Sequence, residues 1–87
     1  IVDDGLATGY SMLQSVRFIK KKKARKIIVA IPTASLGALE KVKAEVDEII
    51  CPDVRPDFPF AVAEAYEEWY DVPDQEVIDI LSRILYE

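Results

Sequence analysis

The sequence has no histidine, one cysteine, one tryptophan and three glycines among its 87 residues. Without histidine, neither a Ser-His-Asp triad nor an imidazole metal site can be assembled from this chain alone. One cysteine excludes an internal disulfide and a thiolate zinc cluster. Long apolar runs are scarce too. The longest uncharged stretch, residues 27–39, is interrupted by Pro32 and Gly37 and falls well short of a membrane span. Cations are the minority charge: 11 Lys and Arg face 16 Asp and Glu, for a net charge of −5. An acidic chain of this size is a poor general nucleic-acid binder, so neither nucleic acid nor a membrane is expected as a partner. What is present suits a folded chain. Hydrophobic residues make up 51% and charged residues 31%, the balance of one small domain or part of a larger one.

The chain opens on Ile1-Val2-Asp3-Asp4-Gly5. This reads as the end of a strand, since buried strands usually run about five or six residues and only two apolar ones precede the acids. The expectation is a C-terminal portion of a longer protein whose first strand is cut.

Hydrophobic spacing then marks the elements. Met12, Leu13, Val16 and Ile19 share one helical face, and the following Lys20-Lys21-Lys22-Lys23 complements the negative end of the helix dipole as a solvated terminus. Ile27-Ile28-Val29-Ala30-Ile31, closed by Pro32, fits a parallel strand buried on both faces. Thr33 or Ser35 can cap the next helix, whose stripe is Leu36, Leu39, Val42 and Val46. A strand at Glu48-Ile49-Ile50-Cys51 ends at Pro52, with Cys51 a small buried residue and not a reactive thiol. Residues 52–59 carry three prolines and read as a loop. An aromatic, acidic stretch follows. Asp74 can cap a last helix with Val77, Ile80, Leu81, Ile84 and Leu85 on its apolar face.

Strands alternating with helices predict an α/β fold: a parallel sheet with helices on both faces and right-handed crossovers. Ligands of such sheets sit beyond the carboxyl ends of the strands. Residues 5–11, 32–35 and 52–59 are loops converging at that edge on this reading.

The chemistry concentrates in Asp3-Asp4-Gly5-Leu6-Ala7-Thr8-Gly9-Tyr10-Ser11. Two carboxylates at a strand end can hold hydroxyls, or a magnesium ion that itself holds hydroxyls. The loop then feeds a helix N-terminus, where backbone N–H groups and the dipole favour an anion. Gly5 and Gly9 let the backbone wrap closely, and Thr8 and Ser11 add hydroxyls. A diol grip beside a phosphate cradle is what a ribose 5-phosphate needs.

Residues 1–11 resemble the phosphoribosyl-diphosphate binding motif of type I phosphoribosyltransferases: an apolar strand, two acids, then a Thr-Gly loop. The resemblance implies a phosphoribosyltransferase-like fold of which this chain is a partial core, with residues 1–56 the α/β portion and residues 57–87 an aromatic loop and C-terminal helix. It implies that Asp3 and Asp4 contact the ribose hydroxyls, with an indirect role toward metal. Ala7, Thr8, Gly9, Tyr10 and Ser11 become the 5-phosphate loop. The cofactor implied is Mg2+. The activity implied is transfer of 5-phosphoribosyl from phosphoribosyl diphosphate to a nitrogenous base, by a cytoplasmic enzyme that forms a homodimer. The alternative is a non-catalytic module on the same scaffold that senses the donor or a nucleotide.

Residues 60–77 are similar to the tail of phosphoribosyltransferases of unassigned substrate, some of them fused to a hydrolase-like domain. A looser similarity to purine phosphoribosyltransferases makes Phe60 a base-stacking candidate, with core packing an equal alternative. Tyr66 and Trp69 are expected in the core. Purine enzymes acting on 6-oxo bases carry an acid just before the Thr-Gly pair. Ala7 stands there, so the loop is closer to the adenine and orotate types. The family's pyrophosphate loop and lid precede this segment, and no catalytic residue can be assigned within it. The fragment alone is expected to be inactive.

Overall fold

The computed structural model describes residues 1–56 and 60–86, the side chain of Tyr86 excepted. The elements are α1 (Tyr10–Lys21), β1 (Ile28–Ala30), β2 (Thr33–Ser35), α2 (Leu36–Lys43), β3 (Glu48–Ile50), β4 (Asp53–Arg55), a 3-10 helix (Val62–Ala65) and α3 (Asp74–Tyr86). All strand pairs are parallel, as the alternation of strands and helices predicts.

Two of the expected loops are strand. β1 pairs with β3 and β2 with β4, and partners differ by 20 residues in both ladders (Ile28 with Glu48, Thr33 with Asp53). One register therefore runs through both. Pro32 and Pro52, which cannot donate, interrupt it without ending it. The Ile31 amide donates to the Ile50 carbonyl at 2.9 Å, and the Asp53 amide to the Pro32 carbonyl at 3.1 Å. Proline signals an interruption in the sequence, and the ladder resumes one residue later. Of the expected loop at 52–59, residues 57–59 lie outside the described residues.

The N-terminal residues form the third track. Val2 pairs with Ala30 and Leu6 with Ala34, both parallel. The spatial order Val2, Ala30, Ile50 follows the chain, so both crossovers run in the same direction. Right-handed crossovers then place both helices on one face. Packing agrees: Met12, Leu13 and Val16 of α1 and Ala38 and Val42 of α2 share one buried cluster with Ile27, Val29 and Ile31. The expectation of helices on both faces is thus corrected. Among the described residues the second face is uncovered, and Val2, Ile28 and Ile50 on it are exposed. The apolar run at 27–31 is accordingly buried on alternate residues and not throughout.

Other details differ as well. α2 buries Ala38 and Val42, while Leu36 at its start is exposed and Leu39 is partly buried. Asp74 is the first helical residue of α3, not its cap, and the Pro73 carbonyl accepts from the Val77 amide at 3.2 Å. The apolar face of α3 exists but is exposed at Val77, Ile80, Leu81 and Ile84. Cys51, expected buried within the strand, is half-buried just past the end of β3; it donates from Sγ to the Asp53 carbonyl at 3.3 Å, and burial pushes its thiol pKa up.

Candidate functional site

The site begins where the first track leaves the sheet. The Leu6 amide donates to the Thr33 carbonyl at 3.0 Å, and the Ser35 amide donates to the Leu6 carbonyl at 2.9 Å. From there residues 7–9 turn into α1. Gly9 is the N-cap at φ 84°, the left-handed region open to glycine at little cost. It offers no side-chain cap, and the first turn of α1 contains no acid. The first amides of α1 therefore keep their donors free of internal competition, and the dipole there favours an anion. A cavity of about 240 Å³ lies against this turn, and its lining includes Asp3, Thr8, Gly9, Ser11 and Met12. One carboxylate of the acidic pair and the Thr-Gly loop thus share one cavity.

The loop is held from outside. Ser35 Oγ donates to the Ala7 carbonyl at 2.7 Å and accepts from the Ala38 amide at 3.2 Å. One hydroxyl caps α2 and fixes the middle of the loop. Thr33, the other cap candidate, instead donates to Asp53 Oδ2 at 2.6 Å, and Arg55 Nε donates to the same oxygen at 2.8 Å. These two donors, Thr33 first, hold the Asp53 carboxyl below its ordinary pKa. On the other side of the loop, Ala7, Thr8 and Tyr10 line a cavity of about 420 Å³ with Ser35 and Lys41. Lys41 Nζ stands 4.9 Å from the centre of the Tyr10 ring.

The acidic pair faces two ways. Asp3 Oδ1 accepts from the Asp4 amide at 2.8 Å, and Asp3 lines the cavity at the start of α1. Asp4 instead lines a cleft of about 340 Å³ with Tyr66, Trp69 and Tyr70. Partial burial first, and then the Asp3 charge, raise the Asp4 carboxyl pKa. Two neighbouring carboxylates are suited to a cation or to hydroxyl donors. Among the described residues no group of three or more Cys, Asp or Glu is placed to hold a metal. A metal there would meet only these two carboxylates, which open to different cavities, and would have to take its remaining oxygens from ligand and water.

Two contributors were not legible in sequence. Val62 of the 3-10 helix lies so close to Gly5 that a Cβ there would sit 2.7 Å from Val62 Cγ1. Tyr66 donates its hydroxyl to the Asp4 carbonyl at 2.6 Å. Neither contact has a periodic signal, because each joins distant segments of the chain through an irregular stretch. Tyr66 is half-buried and Trp69 exposed, their rings edge to face at 5.3 Å, so neither belongs to the core as expected. Phe60 is half-buried with the Arg55 guanidinium 6.0 Å from its ring centre, and it lines neither the cavity at the start of α1 nor the Asp4 cleft.

No family model matches the chain. It is 30% identical over 83 residues to two proteins of Mycobacterium tuberculosis, strains CDC 1551 / Oshkosh and ATCC 25618 / H37Rv, each named "Putative phosphoribosyl transferase". The match covers 95% of this chain and 18% of each relative. A crystal structure of TT1426 from Thermus thermophilus superposes with a TM-score of 0.83 at 37% identity, over 94% of this chain and 39% of that one. The chain therefore spans well under half the length of these relatives.

Proposed function

We propose that this chain carries the ribose 5-phosphate anchor of a phosphoribosyltransferase that transfers 5-phosphoribosyl from phosphoribosyl diphosphate to a nitrogenous base. The observation that carries the reading is the cavity in which Asp3 faces Thr8, Gly9 and Ser11 at the uncapped start of α1. The names of the relatives support it independently. In this reading the amides and hydroxyls of residues 8–11 take the 5-phosphate, and Asp3 and Asp4 take the ribose hydroxyls. The sugar carbon is then fixed between the two, and the carboxylates favour the positive charge that develops on the ring as the bond to pyrophosphate breaks. Asp3 and Asp4 would hold a magnesium ion indirectly, and it would supply charge neutralisation at the diphosphate. Ser35 acts one step back, by fixing Ala7.

The test is a titration with ribose 5-phosphate while the backbone amide shifts are followed. Saturable shifts centred on Thr8 to Met12 are expected. Shifts confined to other residues, or none, would overturn the phosphate reading.

A further inference from the structure

The net charge of −5 that argues against general nucleic-acid binding is unevenly spread. Residues 5–39 hold seven of the 11 cations, all between Arg17 and Lys26, and no acid. We propose that the outer face of α1 and the turn after it bind a single-stranded nucleic acid, with phosphates on the lysines and arginines and a base stacked on Phe18. This surface is separate from the sugar-phosphate site and does not depend on it.

Three observations carry it. First, Gln14, Arg17, Phe18 and Lys21 recur at helical spacing and form one stripe, on the side of α1 away from the buried Met12, Leu13 and Val16. With Lys20 they line an open cavity of about 540 Å³ that no acid enters. Second, an aromatic ring stands among the cations. Phe18 is 59% exposed, and Lys22 Nζ lies 5.3 Å from its centre. Complementing the helix dipole accounts for lysines in a last turn, but not for an exposed ring between them. Third, most of the charge is not neutralised. Of the acids that reach this end, Glu45 pairs with Lys20 at 2.7 Å and Glu48 with Lys26 at 3.8 Å, while Asp47 accepts from the Ile27 amide at 2.7 Å. Lys21, Lys22, Lys23 and Arg25 make no ion pair among the described residues. Cations that track a backbone beside a ring that stacks a base are the two parts of single-strand recognition. A duplex keeps its bases paired and leaves the ring unused. An acidic peptide answers the charge but not the ring, and a membrane needs an apolar face where this stripe has one phenylalanine. The lysines close α1, and its 12 residues put about 18 Å of helix between them and Gly9. A strand bound there leaves the Thr-Gly loop open.

The experiment titrates the chain into a fluorescently tagged oligouridylate at neutral pH and low salt, reading anisotropy. Saturable binding is expected, with log affinity falling against log salt at a slope of about −3, the value for about four phosphate contacts on a single strand. Phe18→Ala should weaken binding about fivefold or more and leave that slope unchanged, while Phe18→Tyr should keep the affinity. Lys21→Gln with Lys22→Gln should weaken binding and flatten the slope by about 1.4. All three positions are exposed, so melting curves of the variants should match that of the unaltered chain. Saturating ribose 5-phosphate should leave the affinity for oligouridylate within about twofold, and full competition would overturn the placement on the far end of α1. Binding of duplex RNA or polyglutamate as tight as that of oligouridylate, or a folded Phe18→Ala variant that binds as before, would overturn the stacked single strand. Tighter binding to vesicles containing phosphatidylserine would overturn it in favour of a membrane. No binding of oligouridylate at low salt would overturn the surface altogether.

Discussion

Individual residues around the loop differ in what limits them. Gly5 is limited by space. An added Cβ would meet Val62 Cγ1 at 2.7 Å and Thr33 Cγ2 at 3.0 Å, so Gly5→Ala should cost about 1–3 kcal/mol through overpacking. Gly9 is limited by conformation, at φ 84° with the nearest obstacle, Ala38 Cβ, at an ordinary 3.4 Å. Gly9→Ala should therefore cost only about 1 kcal/mol, and urea melts would separate the two. The acidic pair is limited by charge. Because the Asp4 pKa is raised in the folded chain, its ionised form disfavours folding at neutral pH, and that cost eases as pH falls through the raised value. Asp3→Asn with Asp4→Asn should leave the melting temperature unchanged or slightly raised at neutral pH, with any gain fading in acid, while ribose 5-phosphate binding is lost. A double variant that unfolds at neutral pH would show the carboxylates to be structural.

Ser35 shows how one side chain joins two elements. Ser35→Ala removes the α2 cap, at about 1 kcal/mol, and also leaves the Ala7 carbonyl without its donor. Ribose 5-phosphate affinity should fall with stability, whereas Ser35→Thr should restore the cap and much of the binding. Asp53 ties β2 to β4 in a different way. Its lowered pKa means that its contribution is fully present above the unfolded carboxylate value and is lost as pH falls through the lower folded one. Asp53→Asn should lower the denaturation midpoint at neutral pH and match the unaltered chain in strong acid. Helices and strands with apolar periodicity were legible in sequence: Met12, Leu13 and Val16 point inward as their spacing requires. β2 and β4 were not, because three-residue strands behind proline carry turn residues and no alternation long enough to read. The turn from Asp3 to Gly9 was legible because glycine, hydroxyl and acid each have a local physical role, whereas Tyr10 and Ser11, expected in the same loop, open α1. The Tyr66 contact to Asp4 was not, since it depends on the path of an irregular stretch.

Across the whole chain, the apolar surface left uncovered is as telling as the core. The second sheet face exposes Val2, Ile28 and Ile50, and α3 exposes Val77, Ile80, Leu81 and Ile84. The sequence pattern marked these residues as apolar but could not say which face has a partner. Burial is a property of neighbours, and the periodicity of α3 is the same whether or not its face is covered. Parallel sheets are ordinarily covered on both sides, and uncovered apolar surface of this kind favours association. The 87-residue chain should therefore self-associate with rising concentration, as read by sedimentation, and Ile28→Thr with Ile50→Thr should weaken that association. Turnover under the proposed function is limited by charge instead. Among the described residues no Lys or Arg lines the cavity at the start of α1 or the Asp4 cleft, and the lysine of the neighbouring cavity, Lys41, stands over Tyr10. A leaving pyrophosphate needs preorganised positive charge, and losing even one such donor typically costs about a hundredfold or more in rate. The chain alone should accordingly bind ribose 5-phosphate yet release no pyrophosphate from phosphoribosyl diphosphate with magnesium and adenine present. Binding without turnover would locate the missing groups outside these residues. Turnover by the purified chain would show that the charge on the leaving group is met by something other than a lysine or arginine beside the site.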